Sequence, residues 1–154
     1  MKKIKLLFLS IALSSIFVFQ PVLVMANSGN TLLVTKEYLE DGSYFETIIE
    51  SNENQRSTKT GSKTLTYKNA DGDALWYATV NASFYYDGKT SSCISSSPSA
   101  GSYVSGWKIL STSSSRTGNT ASATVTAGIY YAGVFVDSIT VKVLLSCDKN
   151  GNLS

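Results

Sequence analysis

The chain has no histidine at all and only two cysteines among its 154 residues. Without histidine the commonest general base is missing, so Ser-His-Asp and Cys-His catalytic arrangements are excluded. Two thiols without any imidazole also make a zinc site a poor interpretation. We therefore expect a protein that is not an enzyme, has no hydrolytic activity and uses no metal or other cofactor.

Carboxylates offer little for acid–base chemistry, because most of them fall in predicted turns or in the N-terminal segment. Asp137 alone interrupts an apolar face, and we interpret it as a strand end or bulge near solvent. Residues 69–73, Asn-Ala-Asp-Gly-Asp, begin like a calcium loop, but the sixth position is Ala74 and the twelfth is Val80. The calcium pattern requires glycine and glutamate there, so this stretch predicts a turn.

The first 26 residues show the three-part pattern of a secretory signal peptide. Lys2, Lys3 and Lys5 precede an uncharged apolar run over residues 6–19, and a Val-Met-Ala motif ends at Ala26. A retained membrane anchor is the alternative, but the apolar run is short for a membrane span. The polar C-terminal residues 148–154 give no anchor. We expect cleavage after Ala26 and release to the extracellular medium.

The chain also lacks an excess of charge of either sign once the signal peptide is removed. Three of the 13 basic residues leave with it, so ten basic residues face 11 acidic ones, a net charge of −1. Such a chain has no electrostatic footprint for nucleic acid and no polybasic segment for anionic lipid. The 128 residues that remain have the length of one domain.

The two cysteines, Cys93 and Cys147, both lie in this mature part. In an exported chain with one pair of cysteines, a disulfide between them is the simplest interpretation. Closing a loop of that size would stabilise the fold by roughly 4 kcal/mol. Two free thiols are the alternative.

Residues Ala74–Tyr86 show a strict period of two, which is typical of a β-strand. Even positions form one apolar face, Ala74, Trp76, Ala78, Val80, Ala82, Phe84 and Tyr86. The odd positions are mixed, and small alanines alternate with large rings as two packed sheets require. This stretch is predicted to be the central strand of an antiparallel sheet.

The remaining chain predicts further strands and no helix, because after the signal no apolar residues recur at helical spacing over three turns. Residues 119–131 and 134–147 alternate, with odd positions inward, including Phe135, Ile139 and Cys147. Residues 31–39 and 43–50 predict a hairpin around Asp41-Gly42, with a short helix over 35–39 as the competing interpretation. This hairpin is either a flexible extension or an edge of the main sheet. Residues 51–61, 96–101 and 113–118 are predicted to be loops.

Together these segments predict an all-β protein, an antiparallel β-sandwich (immunoglobulin-like or a small barrel) with one disulfide, preceded by a cleaved signal peptide. The predicted divisions are a signal peptide over 1–26, an N-terminal hairpin and polar linker over 27–61, and the sandwich domain over 62–154.

Three tyrosines fall on the outward phase of predicted strands: Tyr77, Tyr85 and Tyr130. Exposed rings on a sheet stack on sugars or contact proteins, so these residues are the candidate ligand-binding set. The alternative is that they form cross-strand pairs that complete the outer face.

Several phrases resemble a family of small secreted proteins of unassigned function from Gram-positive bacteria, many of them gut inhabitants. They are residues 41–44 (DGSY), 66–69 (TYKN), 84–88 (FYYDG), 106–109 (GWKI) and 118–121 (GNTA), together with Leu75-Trp76 and the segment from Cys147 to Ser154. The resemblance implies export, one domain and a β fold with paired cysteines, and it brings no catalytic residues. From it and the residues above, we expect a non-catalytic extracellular binding module for a polysaccharide or a surface protein. The alternative is a bacteriocin-like effector that acts on a neighbouring cell envelope.

Overall fold

The computed structural model describes residues 31–51 and 57–154, which form eight antiparallel strands in two sheets. The strands are β1 (Thr31–Tyr38), β2 (Tyr44–Ser51), β3 (Thr58–Lys68), β4 (Ala74–Tyr86), β5 (Ser91–Ser102), β6 (Trp107–Thr117), β7 (Thr120–Tyr131) and β8 (Val134–Ser146). The predicted signal peptide, residues 1–26, lies outside the described residues, as do residues 52–56 of the predicted linker. No helix in the described part is long and apolar enough to cross a membrane.

Each strand pairs with its neighbour in the sequence, so both sheets are meanders. The first sheet has the order β1-β2-β3-β4-β5, and the second has the order β6-β7-β8. The chain passes from one sheet to the other at the corner of residues 103–106, which is tied to β4 because the Tyr103 N–H donates to the Leu75 carbonyl (2.9 Å). The predicted all-β fold with antiparallel sheets is confirmed. Its purely sequential order differs from the Greek-key order of immunoglobulin sandwiches.

Strand β4 has the predicted bounds and supplies the centre of the core. Its even positions from Trp76 to Phe84 are buried and face the odd positions of β7 and β8. The buried apolar residues of these two strands are Ala121, Ala123, Val125, Ala127, Val143 and Leu145, and Cys147, directly after β8, is buried with them. Small side chains on β7 therefore stand opposite the large rings of β4, which lets the sheets approach closely.

The N-terminal hairpin is the edge of the five-stranded sheet, so the alternative that sequence left open is resolved. Residues 35–38 belong to strand β1 rather than to a helix. Ile49 is buried in the common core, and β2 pairs with β3 over its whole length. Strand β3 begins at Thr58, so the last four residues of the predicted linker lie in a strand.

Two serine-rich stretches that we predicted to be loops are strands. Strand β5 continues from Ser91 to Ser102 through Pro98, and β6 continues to Thr117. Proline is tolerated in β5 because this strand is at the edge of its sheet. The two strands contact each other across the sandwich, where the Ser114 hydroxyl donates to the Ser96 carbonyl (3.2 Å).

The inward phase predicted for Phe135 is wrong, because a β-bulge shifts the pairing of β7 with β8. Ile129 pairs with Asp137, whereas the next residue, Tyr130, pairs with Phe135, so Val136 is the extra residue. Beyond the bulge Phe135 lies on the outer face, where its ring contacts that of Tyr130 (5.6 Å between centroids). Asp137 is exposed beside this bulge, as predicted.

The predicted disulfide is also wrong, since Cys93 and Cys147 are both free. The turn between β6 and β7 lies between their backbones: the Cys93 N–H donates to Gly118 O (2.8 Å), and the Cys147 N–H to Asn119 O (3.1 Å). Each thiol points to a carbonyl near it in sequence, Cys93 Sγ to Ser95 O (3.2 Å) and Cys147 Sγ to Asp148 O (3.5 Å). The inward position of Cys147 is confirmed by its complete burial.

Candidate functional site

The structure divides the three predicted binding tyrosines between two opposite surfaces. Tyr77 and Tyr85 lie on the outer face of the five-stranded sheet, because the buried residues of β4 alternate with them. Tyr130 lies on the outer face of the three-stranded sheet, where Lys108 Nζ stands 4.5 Å from the centre of its ring. A single surface therefore contains Tyr77 and Tyr85 but not Tyr130.

Tyr77 is half-buried, and its coverage comes from two neighbours. It pairs across the strands with Gly101, and its ring lies over that glycine: Tyr77 Cε1 is only 2.7 Å from where a Cβ on residue 101 would be. The ring of Tyr103 packs against it with 5.6 Å between centroids. Tyr103 itself remains 59% exposed, so this pair presents an open aromatic surface to solvent.

Tyr85 lies at the other end of β4 and is 43% exposed. Eight residues of extended strand separate it from Tyr77, which corresponds to roughly 27 Å. The surface between them is polar: the outward residues of β4 and β5 there are Thr79, Asn81, Ser83, Ser95, Ser97 and Ser99. We call this surface, from the Tyr77–Tyr103 pair through these six residues to Tyr85, the tyrosine strip.

The polar groups of the tyrosine strip are largely available for a ligand. Asn81 and Ser97 are paired across the strands and both are exposed. Within residues 31–51 and 57–154, neither side chain makes a hydrogen bond. By contrast, Thr79 is engaged with Thr64 on β3 (Oγ1 to Oγ1, 2.9 Å). The strip thus combines rings for stacking at its ends with an amide and hydroxyls for hydrogen bonding between them.

A charged row borders the strip on β1, β2 and β3. Lys68 Nζ binds Glu46 Oε1 at 2.7 Å, and Lys36 Nζ lies 3.7 Å from the other oxygen of the same carboxylate. The hydrogen bond that Lys68 donates to the Glu46 carboxylate raises the pKa of Lys68 above its ordinary value. Both lysines also stand over the ring of Tyr44. Because these charged groups pair with one another, they border the strip and do not provide an unpaired charge for a ligand.

The carboxylates with perturbed acidity are structural groups of turns. Asp87 accepts hydrogen bonds from the backbone N–H groups of Thr90 and Lys89, which lower its pKa. Asp148 accepts from the side chain and backbone of Asn152, with the same effect. A lowered pKa keeps each carboxylate ionised, as a hydrogen-bond acceptor in a turn should be. A general acid needs the opposite, a raised pKa.

The stretch 69–73 forms the predicted turn. The Asn69 side-chain oxygen accepts from the Asp73 N–H (2.8 Å), and Gly72 has φ +92°. Of the residues that the structure describes, no three or more acidic, cysteine or histidine side chains are grouped to hold a metal ion. Shallow clefts beside Arg116 and beside Tyr86 are both open to solvent, unlike the enclosed pockets of small-molecule sites.

Tyr103 was not among the residues predicted from the sequence, although it gives the strip its most exposed ring. Its position in the corner after β5 could not be read from strand alternation, because residues 96–101 are predicted to be a loop, whereas β5 continues to Ser102. Comparison with protein-family models, with curated proteins and with solved structures finds no match for this chain. The resemblance to small exported proteins therefore stays a prediction, and a function has to be inferred from the geometry described above.

Proposed function

We propose that this protein is an exported, non-catalytic binding module that holds an extended polysaccharide along the tyrosine strip. The observation that carries the proposal is the placement of exposed rings at both ends of a polar strip about 27 Å long. Sugar rings present apolar faces that stack on aromatic side chains, and their hydroxyls bond to amides and hydroxyls between those stacking points. The export signal in residues 1–26 would bring the module to the cell surface or medium, where such polymers are found.

The shape of the strip favours a polymer over a monosaccharide. A single sugar would reach only one aromatic end and would gain little affinity from an open surface. A chain that spans the strip engages both ends at once, so the second contact forms at a high effective concentration. The absence of histidine and the structural use of the acidic residues in turns support a binding role rather than hydrolysis.

The test compares wild-type protein with a Tyr85→Ala, Tyr103→Ala double variant in binding to soluble and insoluble cell-wall polysaccharides. Both side chains are exposed, so the fold should survive, and its thermal unfolding checks this. We expect at least a tenfold loss of affinity for a polymer that the wild type binds, and each single variant should lose less.

The matched control is Tyr131→Ala, which removes a tyrosine that is 80% exposed but lies at the end of β7, in the other sheet. It should bind polysaccharide as the wild type does. A double variant that folds and retains full affinity would refute the role of the strip, as would release of soluble sugar from the polymer by the wild type.

A further inference from the structure

A group of exposed apolar side chains lies at the end of the three-stranded sheet, on the hairpin that joins β7 to β8. In this hairpin Tyr131 is 80% exposed, Val134 67% and Val136 59%. Phe135 and the neighbouring Leu110 of β6 are also exposed. We call these five residues, Leu110, Tyr131, Val134, Phe135 and Val136, the apolar tip. Exposed apolar side chains that are grouped in this way mark interaction sites more often than single surface residues do.

The apolar tip is built on a tight hairpin turn and does not line a groove. Ala132 and Gly133 have φ of +49° and +81°, the left-handed pair of a two-residue hairpin turn. Directly behind the turn, Tyr130 pairs with Phe135, and the Tyr130 N–H donates to Gly106 O (2.8 Å) in the corner before β6. The bulge residue Val136 departs from the strand alternation. Apolar groups are therefore presented from the turn, from the outer face and from the bulge.

We propose that the apolar tip inserts into the surface of a zwitterionic lipid bilayer. A hairpin end with exposed apolar side chains on more than one face suits a fluid apolar medium, which can surround it, better than it suits a flat protein surface. Tyr130 stands behind the tip with Lys108 over its ring, and tyrosine and lysine are the side chains that settle at the level of lipid headgroups. This surface is separate from the tyrosine strip, so the proposal does not depend on polysaccharide binding.

The charges at this end of the molecule determine the kind of lipid. Strands β2 and β4 start at the same end of the sandwich as β8, so the turns before them lie at that end too. These turns carry Glu40, Asp41, Asp71 and Asp73, and Asp137 is exposed next to the bulge, against the single lysine beside the tip. An anionic surface would repel these five carboxylates, and nothing in the described part supplies a polybasic patch to offset them. Insertion is therefore apolar in origin and should not weaken as salt is added.

The test is co-sedimentation of the full mature chain with phosphatidylcholine vesicles over a range of lipid concentrations. The variant Val134→Thr, Val136→Thr keeps the shape and strand preference of both side chains while making them polar. We expect it to bind at least tenfold more weakly than wild type. The control Leu144→Thr changes another exposed apolar residue on the outer face of β8, at the far end from the tip, and should bind within twofold of wild type.

Two further measurements separate insertion from other contacts. Tyr131→Trp places an indole in the tip, and brominated phosphatidylcholine should quench it while Trp76 and Trp107, both buried, keep their emission. Binding should be unchanged in 0.5 M salt and weaker when half of the lipid is phosphatidylglycerol.

Absence of vesicle binding by the wild type, or binding that needs anionic lipid, would overturn the proposal. So would equal binding by the double threonine variant. Sedimentation equilibrium tests the remaining occupant, a second copy of the chain. A dimer that dissociates when the threonine substitutions are made, together with no vesicle binding, would assign the tip to dimerisation.

Discussion

The ring of Tyr77 lies across Gly101, its partner on the neighbouring strand, and occupies the space where any larger residue would place its Cβ. A flat ring over a glycine protects backbone that would otherwise be open to water, and it fixes the orientation of the ring. Tyr103 then packs on the outside of Tyr77. The position of the exposed aromatic pair in the tyrosine strip thus depends on the absence of a side chain at residue 101.

Gly101→Ala should therefore move the rings without unfolding the protein. The added Cβ would be 2.7 Å from Tyr77 Cε1, so the ring has to turn away and lose its contact with Tyr103. Loss of an aromatic pair costs about 0.5–1.5 kcal/mol. Replacing glycine with alanine in a strand stabilises the folded state by about 0.5–1 kcal/mol. The two effects oppose each other, so the unfolding free energy should change by less than about 1 kcal/mol. Aromatic NMR shifts of both tyrosines should change, and polysaccharide affinity should fall.

The control for this variant is Gly106→Ala, in the corner between the sheets. There the added Cβ would meet only the carbonyl of Tyr130 at 3.6 Å, which is ordinary contact. Its spectrum should change only around residue 106, with the Tyr77 and Tyr103 resonances in place. Unmoved tyrosine resonances in Gly101→Ala would contradict the contact on which the strip is built.

Strand alternation predicted the strands that supply the core, and it failed for strands that are mostly exposed. Ala74–Tyr86 was predicted to the residue because its two faces meet different surroundings, core and solvent, and the sequence records that difference. Strands β5 and β6 carry serine on both faces, since β5 is an edge and most of β6 is exposed. Their strand conformation comes from hairpin pairing with β4 and β7, which a window of local sequence does not contain.

The candidate surfaces were predicted only in part, for a related reason. The outward phase of Tyr77 and Tyr85 follows from alternation along one strand, and both predictions of phase are confirmed. Which sheet a strand joins is a matter of topology, so the separation of Tyr130 from the other two could not be predicted. The bulge at Val136 turned Phe135 outward, and no glycine or proline marks it in the sequence.

The two cysteines should behave as buried free thiols. Cys147 is fully buried and Cys93 almost so, and burial raises the pKa of both thiols above their ordinary value. Alkylation of the native protein at pH 8 should therefore be slow, whereas two thiols should react at once in denaturant. A reducing agent should leave the melting temperature unchanged. A denatured protein with no free thiol, and a mass two daltons lower, would show that the disulfide forms after all.

The same burial predicts a loss of stability at alkaline pH. A thiol whose pKa is higher in the folded state binds its proton more tightly there, so its contribution is complete below the ordinary pKa, near 9.0. That contribution is lost as the pH rises through the folded-state pKa. The unfolding free energy of the wild type should fall as the pH rises above the ordinary thiol pKa near 9.0. In the Cys93→Ala, Cys147→Ala variant the fall should be smaller, and an identical slope would contradict the shifts.

Ala132 is the residue at which a substitution should stabilise the protein. Its φ of +49° places an alanine in the left-handed region, at the first position of the two-residue turn that it forms with Gly133. The left-handed conformation costs an ordinary residue about 1–2 kcal/mol, and asparagine adopts it more readily. Ala132→Asn should therefore raise the unfolding free energy by about 0.5–1 kcal/mol. Urea denaturation of the two proteins measures the difference.

Ala70→Asn provides the matched comparison, because Ala70 is also an exposed alanine in a tight turn but its φ is not positive. The same change of side chain should give no gain there, which separates backbone conformation from any general effect of asparagine. If both substitutions stabilise equally, the strain at Ala132 is not the cause. If Ala132→Asn destabilises the protein, the left-handed turn assigned to the hairpin is wrong, and with it the turn on which the apolar tip is built.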